Sequence, residues 1–96
     1  MEHWKVDWAH EFQSEPVRSY SEIGSDGYDA RKIQIYRDER ILKADTSHES
    51  AEIGLREVPA GSIDDVANQP DFSASSISPE GFEQAWRTAS WATRRQ

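Results

Sequence analysis

The sequence predicts an α+β domain in which an antiparallel sheet of about four strands is covered on one face by a C-terminal helix. Three observations predict it. Residues 28–46 have the pattern of a β-hairpin, residues 2–23 contain two more strand-like stretches, and residues 79–89 carry one apolar helical stripe. A short second helix is predicted from residue 63 to about residue 68.

The hairpin has the clearest pattern and forms the centre of a predicted meander. A two-residue turn at Asp38-Glu39 gives the sheet one apolar and one polar face. The apolar face carries Ile33, Ile35, Leu42 and Ala44, and the polar face carries Lys32, Gln34, Lys43 and Asp45. We therefore expect Ile33, Ile35 and Leu42 to be buried. A turn of this kind also needs a positive φ, which Glu39 adopts less readily than glycine.

Two strands precede the hairpin. Residues 2–10 alternate apolar Trp4, Val6 and Trp8 with polar Lys5 and Asp7, which predicts a strand with its tryptophans in the core. Residues 17–23 form the second strand, in which Tyr20 either faces outward or is re-aimed by a bulge. We expect Phe12, in the connection, to be tucked beneath the sheet.

Each predicted helix has a recognisable start. Ser62 precedes the short helix and Ser78-Pro79 the longer one, and both serines suit an N-cap. Residues 73–76 are interpreted as a serine-rich bridge. The stripe of the longer helix is expected to pack against Trp4, Val6, Trp8 and the hairpin isoleucines, and it consists of Phe82, Ala85, Trp86 and Ala89. Residues 1–90 are predicted to form one domain and residues 91–96 a frayed tail.

Composition narrows the function classes. The 96 residues include no cysteine, which excludes a disulfide framework and cysteine chemistry. Eleven basic residues against 18 acidic ones give a net charge of −7, which argues against binding a nucleic-acid backbone and favours a basic partner or plain solubility. No apolar run approaches the roughly 18 residues of a membrane span, so a cytoplasmic protein is expected.

The chain resembles a family of small uncharacterised bacterial domains. The resemblance is carried by HWKVDW, then EF, EPV and YSEI, the RK that opens the hairpin, and DFSASSIS followed by Phe82 and Trp86. It covers the chain from Trp4 to about Trp86. The family has Asp-Gly in the hairpin turn where this chain has Asp38-Glu39. The resemblance implies the domain boundaries and no particular activity.

No residue set indicates catalysis or metal binding. The loop around Asp45 contains Ser47, His48 and Ser50, but neighbours in one loop do not easily adopt the geometry of a hydrolase triad. A zinc site would have to bring His3, His10 and His48 together with Asp7 or Glu11 from separate elements, without a known ligand spacing. We therefore predict no enzyme activity, metal or cofactor.

Three surfaces remain as candidate binding sites. The first is the hairpin, where basic residues could contact phosphate or RNA bases, although pairing with neighbouring acids is the plainer interpretation. These residues are Lys32, Arg37, Arg40 and Lys43. The second surface is the outward sheet face, with Tyr36 and Ile41. The third is the loop of residues 46–54, with Glu49 and Glu52, and it is slightly preferred because its acids match a basic partner.

The favoured hypothesis is a small acidic module that binds a basic protein, of the immunity-protein, antitoxin-like or inhibitor type. A nucleic-acid-contacting accessory protein that uses residues 31–43 is the alternative, and a small enzyme is third. The sequence leaves the oligomeric state open.

Overall fold

The computed structural model describes residues 1–12, 15–46 and 62–91. In this part of the chain six strands form one sheet, and two helices accompany it, so the α+β class is confirmed. The elements are β1 (Glu2–Trp8), β2 (Pro16–Ile23), β3 (Asp29–Tyr36), β4 (Ile41–Asp45), α1 (Ile63–Ala67), β5 (Phe72–Ser76), α2 (Pro79–Thr88) and β6 (Ser90–Trp91).

The sheet has the strand order β5-β1-β2-β3-β4-β6. Strands β1 to β4 form the predicted antiparallel meander. The other two strands flank it, β5 antiparallel to β1 and β6 parallel to β4. Four strands were therefore too few. The sequence FSASS of β5 has little apolar alternation, and β6 is only two residues long, so neither gives a periodic signal.

The predicted hairpin register is wrong by one residue. Ile35 pairs with Ile41, and Ile33 pairs with Lys43. The cause is a three-residue turn, in which the Tyr36 N–H donates to the carbonyl of Arg40 and the Glu39 N–H donates to the carbonyl of Tyr36, both at 2.9 Å. Glu39 has the expected positive φ, at 74°. It belongs to the longer type of connection, in which a turn is followed by one left-handed residue.

The shifted register changes which hairpin residues are buried. Ile33 is fully buried, as predicted. Ile35 and Leu42 are only half-buried, and Leu42 lies on the opposite face from the isoleucines because it pairs with Gln34. A slip of one residue moves a strand's side chains to the other face of its partner, which explains why this part of the prediction failed.

Pairing places the side chains on two faces, because residues directly opposite each other share a face. One row consists of Lys5, Tyr20, Ile33 and Lys43. We call this side the helix face, because Ile33 packs there with Phe82 of α2. The other row consists of Trp4, Ser21, Lys32 and Ala44. We call that side the cleft face.

The helix face holds one core cluster. Phe82, Ile33 and Ala89 are buried in it, and Tyr20 packs against them, with a register shift between Pro16 and Arg18 of its strand. The β1 stripe of Trp4, Val6 and Trp8 lies on the cleft face instead. The prediction that this stripe meets α2 is therefore wrong. Trp4 and Val6 pair with serines of β2, whereas Ile33, which packs against α2, lies on the helix face.

Both helices begin where the sequence predicts. Ser62 and Asp65 form a reciprocal capping box at α1, and the Ser78 hydroxyl accepts the Gly81 N–H at 3.0 Å at α2. Trp91, expected in a tail, lies in β6 and pairs with Lys43 of β4. Neither helix of the described segments combines the length and the apolar character that a membrane crossing requires.

Candidate functional site

Of the four predicted partner-binding residues, the structure describes Tyr36 and Ile41. Glu49 and Glu52 lie outside the described residues, as do Ser47, His48 and Ser50. Tyr36 is 4% exposed, and its hydroxyl donates to the Gln34 side-chain oxygen at 3.0 Å. Ile41 packs against the core cluster. The expected outward pair of Tyr36 and Ile41 is therefore corrected, since the register shift places one of them on each face.

The basic residues of the hairpin have intramolecular partners. Arg37 donates to the backbone carbonyl of His10. Arg40 pairs with Asp38 at 3.0 Å and lies over the Tyr36 ring. Lys43 donates to the Trp86 carbonyl at 3.1 Å and contacts the rings of Trp86 and Trp91. Lys32 lies on the cleft face, away from Lys43.

A charged cluster joins α2 to the helix face. Arg31 binds Glu22 through two contacts of 2.7 Å, and the same guanidinium binds Glu83 of α2. His3 completes the cluster, with its Nε2 atom 3.0 Å from the Glu22 carboxylate. Phe82 lies against this group, with its ring 5.2 Å from the His3 ring and 4.9 Å from the guanidinium carbon.

The charges in this cluster stabilise one another. The hydrogen bonds of Arg31 hold the pKa of Glu22 below its ordinary value, and those of His3 add to the effect. Arg31 also lowers the pKa of Glu83, while Glu22 raises the pKa of Arg31. His3 is only 8% exposed and lies against Phe82. The cluster therefore fixes α2 on the sheet and does not present a histidine to solvent.

Four aromatic rings form a group where β1 ends, which we call the aromatic ledge: Trp8, His10, Phe12 and Phe72. Phe12 is exposed and the other three are half-buried. The Trp8 and Phe72 rings stack at 5.6 Å, and the His10 ring lies 4.0 Å from Trp8. Phe12 lies 6.0 Å from Trp8 and 5.5 Å from His10. Its side chain is not tucked under the sheet as predicted, because the residue is 61% exposed.

Hydrogen bonds fix the position of Phe12. Its N–H donates to Nδ1 of His10 at 2.9 Å, while Nε2 of the same ring lies 2.8 Å from the Pro16 carbonyl. A carbonyl only accepts, so Nε2 carries the proton and Nδ1 is the acceptor. The His10 side chain thus links the Phe12 N–H to the Pro16 carbonyl at the start of β2. The result is an exposed aromatic residue whose backbone is held by a hydrogen bond.

The sequence carries a signal for the ledge that periodicity does not capture. Trp8, His10 and Phe12 are spaced by two, so a continued strand would place them on one side. β1 ends at Trp8, however, and the next residues continue the row outside the sheet. The sequence pattern predicted Trp8 in the core and Phe12 beneath the sheet, since alternation alone does not distinguish a covered row from an open one.

A cleft of about 240 Å³ lies on the cleft face beside α1. Trp4, Ser21 and Lys32 line it from the sheet, and Val66 lines it from the helix. Ligand pockets usually measure about 300 to 1,000 Å³, so this cleft is small for a cofactor. Across residues 1–12, 15–46 and 62–91, no three histidines or carboxylates lie close enough together to hold a metal ion.

Comparison with known proteins identifies a family. The sequence model of a family described as Domain of unknown function (DUF6881) matches residues 2–91. Neither the curated proteins nor the solved structures contain a match.

Proposed function

We propose that this chain, which belongs to the DUF6881 family of domains of unknown function, is a module that binds another protein through the aromatic ledge. The observation that carries the proposal is Phe12, exposed in 61% of its surface but fixed through His10. Phe12 adjoins the rings of Trp8 and His10, and grouped apolar surface of this kind can mark a protein interaction site. A partner that covers Phe12 would remove this apolar surface from water.

The ledge has the properties of a binding anchor. Aromatic residues are enriched among the side chains that dominate interface energies. The backbone of Phe12 is held by His10 before binding, so less backbone entropy is lost when a partner covers the residue. Trp8 and Phe72 extend the apolar surface beside it through ring contacts of 5.6 to 6.0 Å. These features support recognition by a protein surface and require no chemical step.

Charge supports a basic partner. The net charge is −7, and opposite charge speeds encounter between proteins. Exposed Glu11 and Asp71 lie beside ledge residues in the chain. A cationic side chain on the partner would be attracted both by these carboxylates and by the faces of the aromatic rings. Proteins that neutralise a basic toxin or enzyme have these properties, so an immunity, antitoxin or inhibitor role in the bacterial cytoplasm is our specific suggestion.

Contact with nucleic acid is the less favoured function. It would need the hairpin cations to reach phosphates, but Arg37, Arg40 and Lys43 are engaged within the molecule. Binding would first have to break those contacts.

Site-specific photo-crosslinking in the native host tests the proposal. p-Benzoyl-phenylalanine is incorporated in place of Phe12 or, as a matched control, in place of Tyr28, which is 40% exposed and lies between β2 and β3. We expect position 12 to yield one adduct with a protein of high isoelectric point, and position 28 to yield none. The adduct should decrease when the cells also express an excess of the unmodified chain.

The alternative outcomes are distinct. Equal labelling from positions 12 and 28, or no adduct from position 12, would refute a ledge-centred protein interface. An adduct that nuclease removes would instead support the nucleic-acid function.

A further inference from the structure

β5 forms one outer edge of the sheet, and its backbone alternates between facing β1 and facing outward. The N–H of Ile77 donates to the carbonyl of His3 at 2.8 Å, which fixes the phase of the ladder. Bonded and non-bonded pairs alternate along an antiparallel ladder. The backbones of Ser73 and Ser75 therefore pair with β1, and those of Ala74 and Ser76 point outward. In the described part of the chain, no strand lies beyond this edge.

This edge lacks the usual protection against pairing. Edge strands of natural proteins are commonly blocked by a charged side chain, a proline, a bulge or a very short length. The sequence FSASS contains neither a charge nor a proline, and its register with β1 is continuous over five residues. The opposite edge differs, because β6 is only two residues long. Among the described residues, β5 is thus the edge of the sheet that is open to another strand.

The chain segment that contains β5 is acidic, although Lys5 of β1 pairs with Ser75. Residues 62–80, which include α1, β5 and the start of α2, contain no lysine or arginine. They contain the acids Asp64, Asp65, Asp71 and Glu80. None of these four takes part in an ion pair within the described residues. A cationic segment is therefore attracted to this edge, whereas a second copy of the chain, itself at −7, is repelled.

From this geometry we infer that the basic partner supplies an extended segment that adds to the sheet as a strand beside β5. The inference rests on the proposed protein-binding function and specifies its mode. The main-chain groups of Ala74 and Ser76 provide the pairing, as in other complexes formed by strand addition. The acids of residues 62–80 select a cationic segment.

The aromatic ledge completes the recognition. Phe72 and Ala74 have their side chains on the cleft face, as do Trp8 and Val6, with which they pair. Residues of an added strand that pair with them project to the same side. A lysine or arginine opposite Phe72 would therefore lie next to the Trp8–Phe72 stack. Alternating cationic residues fit the edge best, because every second side chain faces that side.

Peptide binding to the full chain tests the inference. The probe is a fluorescein-labelled decapeptide of alternating arginine and valine, and binding is followed by anisotropy. Two control peptides replace arginine by glutamate or methylate the backbone nitrogens of alternate residues, which removes the pairing hydrogens. We expect each control to bind at least about tenfold more weakly, since two or more backbone hydrogen bonds or the charge attraction are lost.

Amide hydrogen exchange measured by NMR gives a residue-specific readout. On addition of the arginine peptide, the amides of Ala74 and Ser76 should become protected, whereas those of Ser73 and Ser75, already paired with β1, should change little. The variant A74P removes an outward N–H and should lose binding while keeping the fold, because proline is tolerated at such edge positions. If A74P does not fold, the methylated peptide tests the same hydrogen bonds from the ligand side.

Several results would overturn the inference. Equal binding of the methylated peptide would exclude strand pairing, and equal binding of the glutamate peptide would exclude charge selection. Protection of Ala74 and Ser76 that depends on protein concentration without peptide would show that a second copy occupies the edge. A crosslink from position 12 without alternate protection in β5 would retain the protein-binding function and reject this mode.

Discussion

Replacing Arg31 by methionine should destabilise the fold strongly, because the buried carboxylate of Glu22 would lose its main partner. The side chain of Glu22 is 10% exposed and that of Arg31 is 22% exposed. Removing one member of a buried pair costs about 3 to 5 kcal/mol. Partial exposure of the guanidinium reduces this, so we expect the free energy of unfolding to fall by about 2 to 4 kcal/mol.

Two further variants set the scale for this effect. Glu83 is 43% exposed, so Glu83→Gln should cost only about 0.5 kcal/mol. In the double variant Arg31→Met with Glu22→Gln, the uncompensated charge is gone. We expect this protein to be more stable than Arg31→Met alone by about 1 to 2 kcal/mol.

Urea unfolding at pH 7, followed by tryptophan fluorescence, measures all three changes. The midpoints can be compared if the free energy of unfolding depends on urea concentration with the same slope in every variant. The reasoning is refuted if Glu83→Gln is as damaging as Arg31→Met, or if removing the Glu22 charge from Arg31→Met gives no recovery. Either result would mean that Glu22 is well solvated and does not depend on Arg31.

Other consequences of the structure can be measured in the same way. Because Arg31 lowers the pKa of Glu22 from its ordinary 4.5, the stability from this contact is present above about pH 4.5 and is lost as the pH falls through the lowered folded-state value. The difference in stability between the natural chain and Glu22→Gln should therefore shrink on acidification, and a constant difference from pH 7 to pH 3 would contradict this. Glu39→Gly should raise the free energy of unfolding by about 0.5 to 1 kcal/mol by relieving a φ of 74°, whereas Asp38→Gly should lower it, because the Asp38 carboxylate accepts the N–H of Arg40. Phe82→Ala should cost about 3 to 5 kcal/mol, against less than about 0.5 kcal/mol for exposed Phe12→Ala, and similar thermal melts for the two variants would refute the assignment of Phe82 to the core.

The sequence predicts the meander and both helix starts, because these depend on local signals. Alternation identifies β1, and the serines at 62 and 78 mark the N-caps. The hairpin register depends on turn length, which the strand pattern does not determine. Glu39 in a left-handed conformation permits a three-residue turn, although glycine is the usual residue there. One additional turn residue was enough to place Leu42 opposite Gln34.

The candidate site was harder to predict than the fold. Phe12 follows Trp8 at strand spacing, and hydrophobicity favours burial for such a residue. Its exposure results from the hydrogen bonds of His10 to Pro16 and to the Phe12 backbone, which no periodicity reveals. β5 was missed because its pairing comes from the backbone, and serine side chains give little indication of it.

The unequal ends of the sheet limit how this protein can assemble. The sheet has an open β5 edge at one end and the two-residue β6 at the other, so its two edges are not equivalent. Two molecules that met through β5 would use the same edge on both sides, so the pair would close as a twofold dimer with short strands at its ends. Growth into a filament would need a second receptive edge. With one open edge among the described residues, strand addition at β5 would therefore end after a single step.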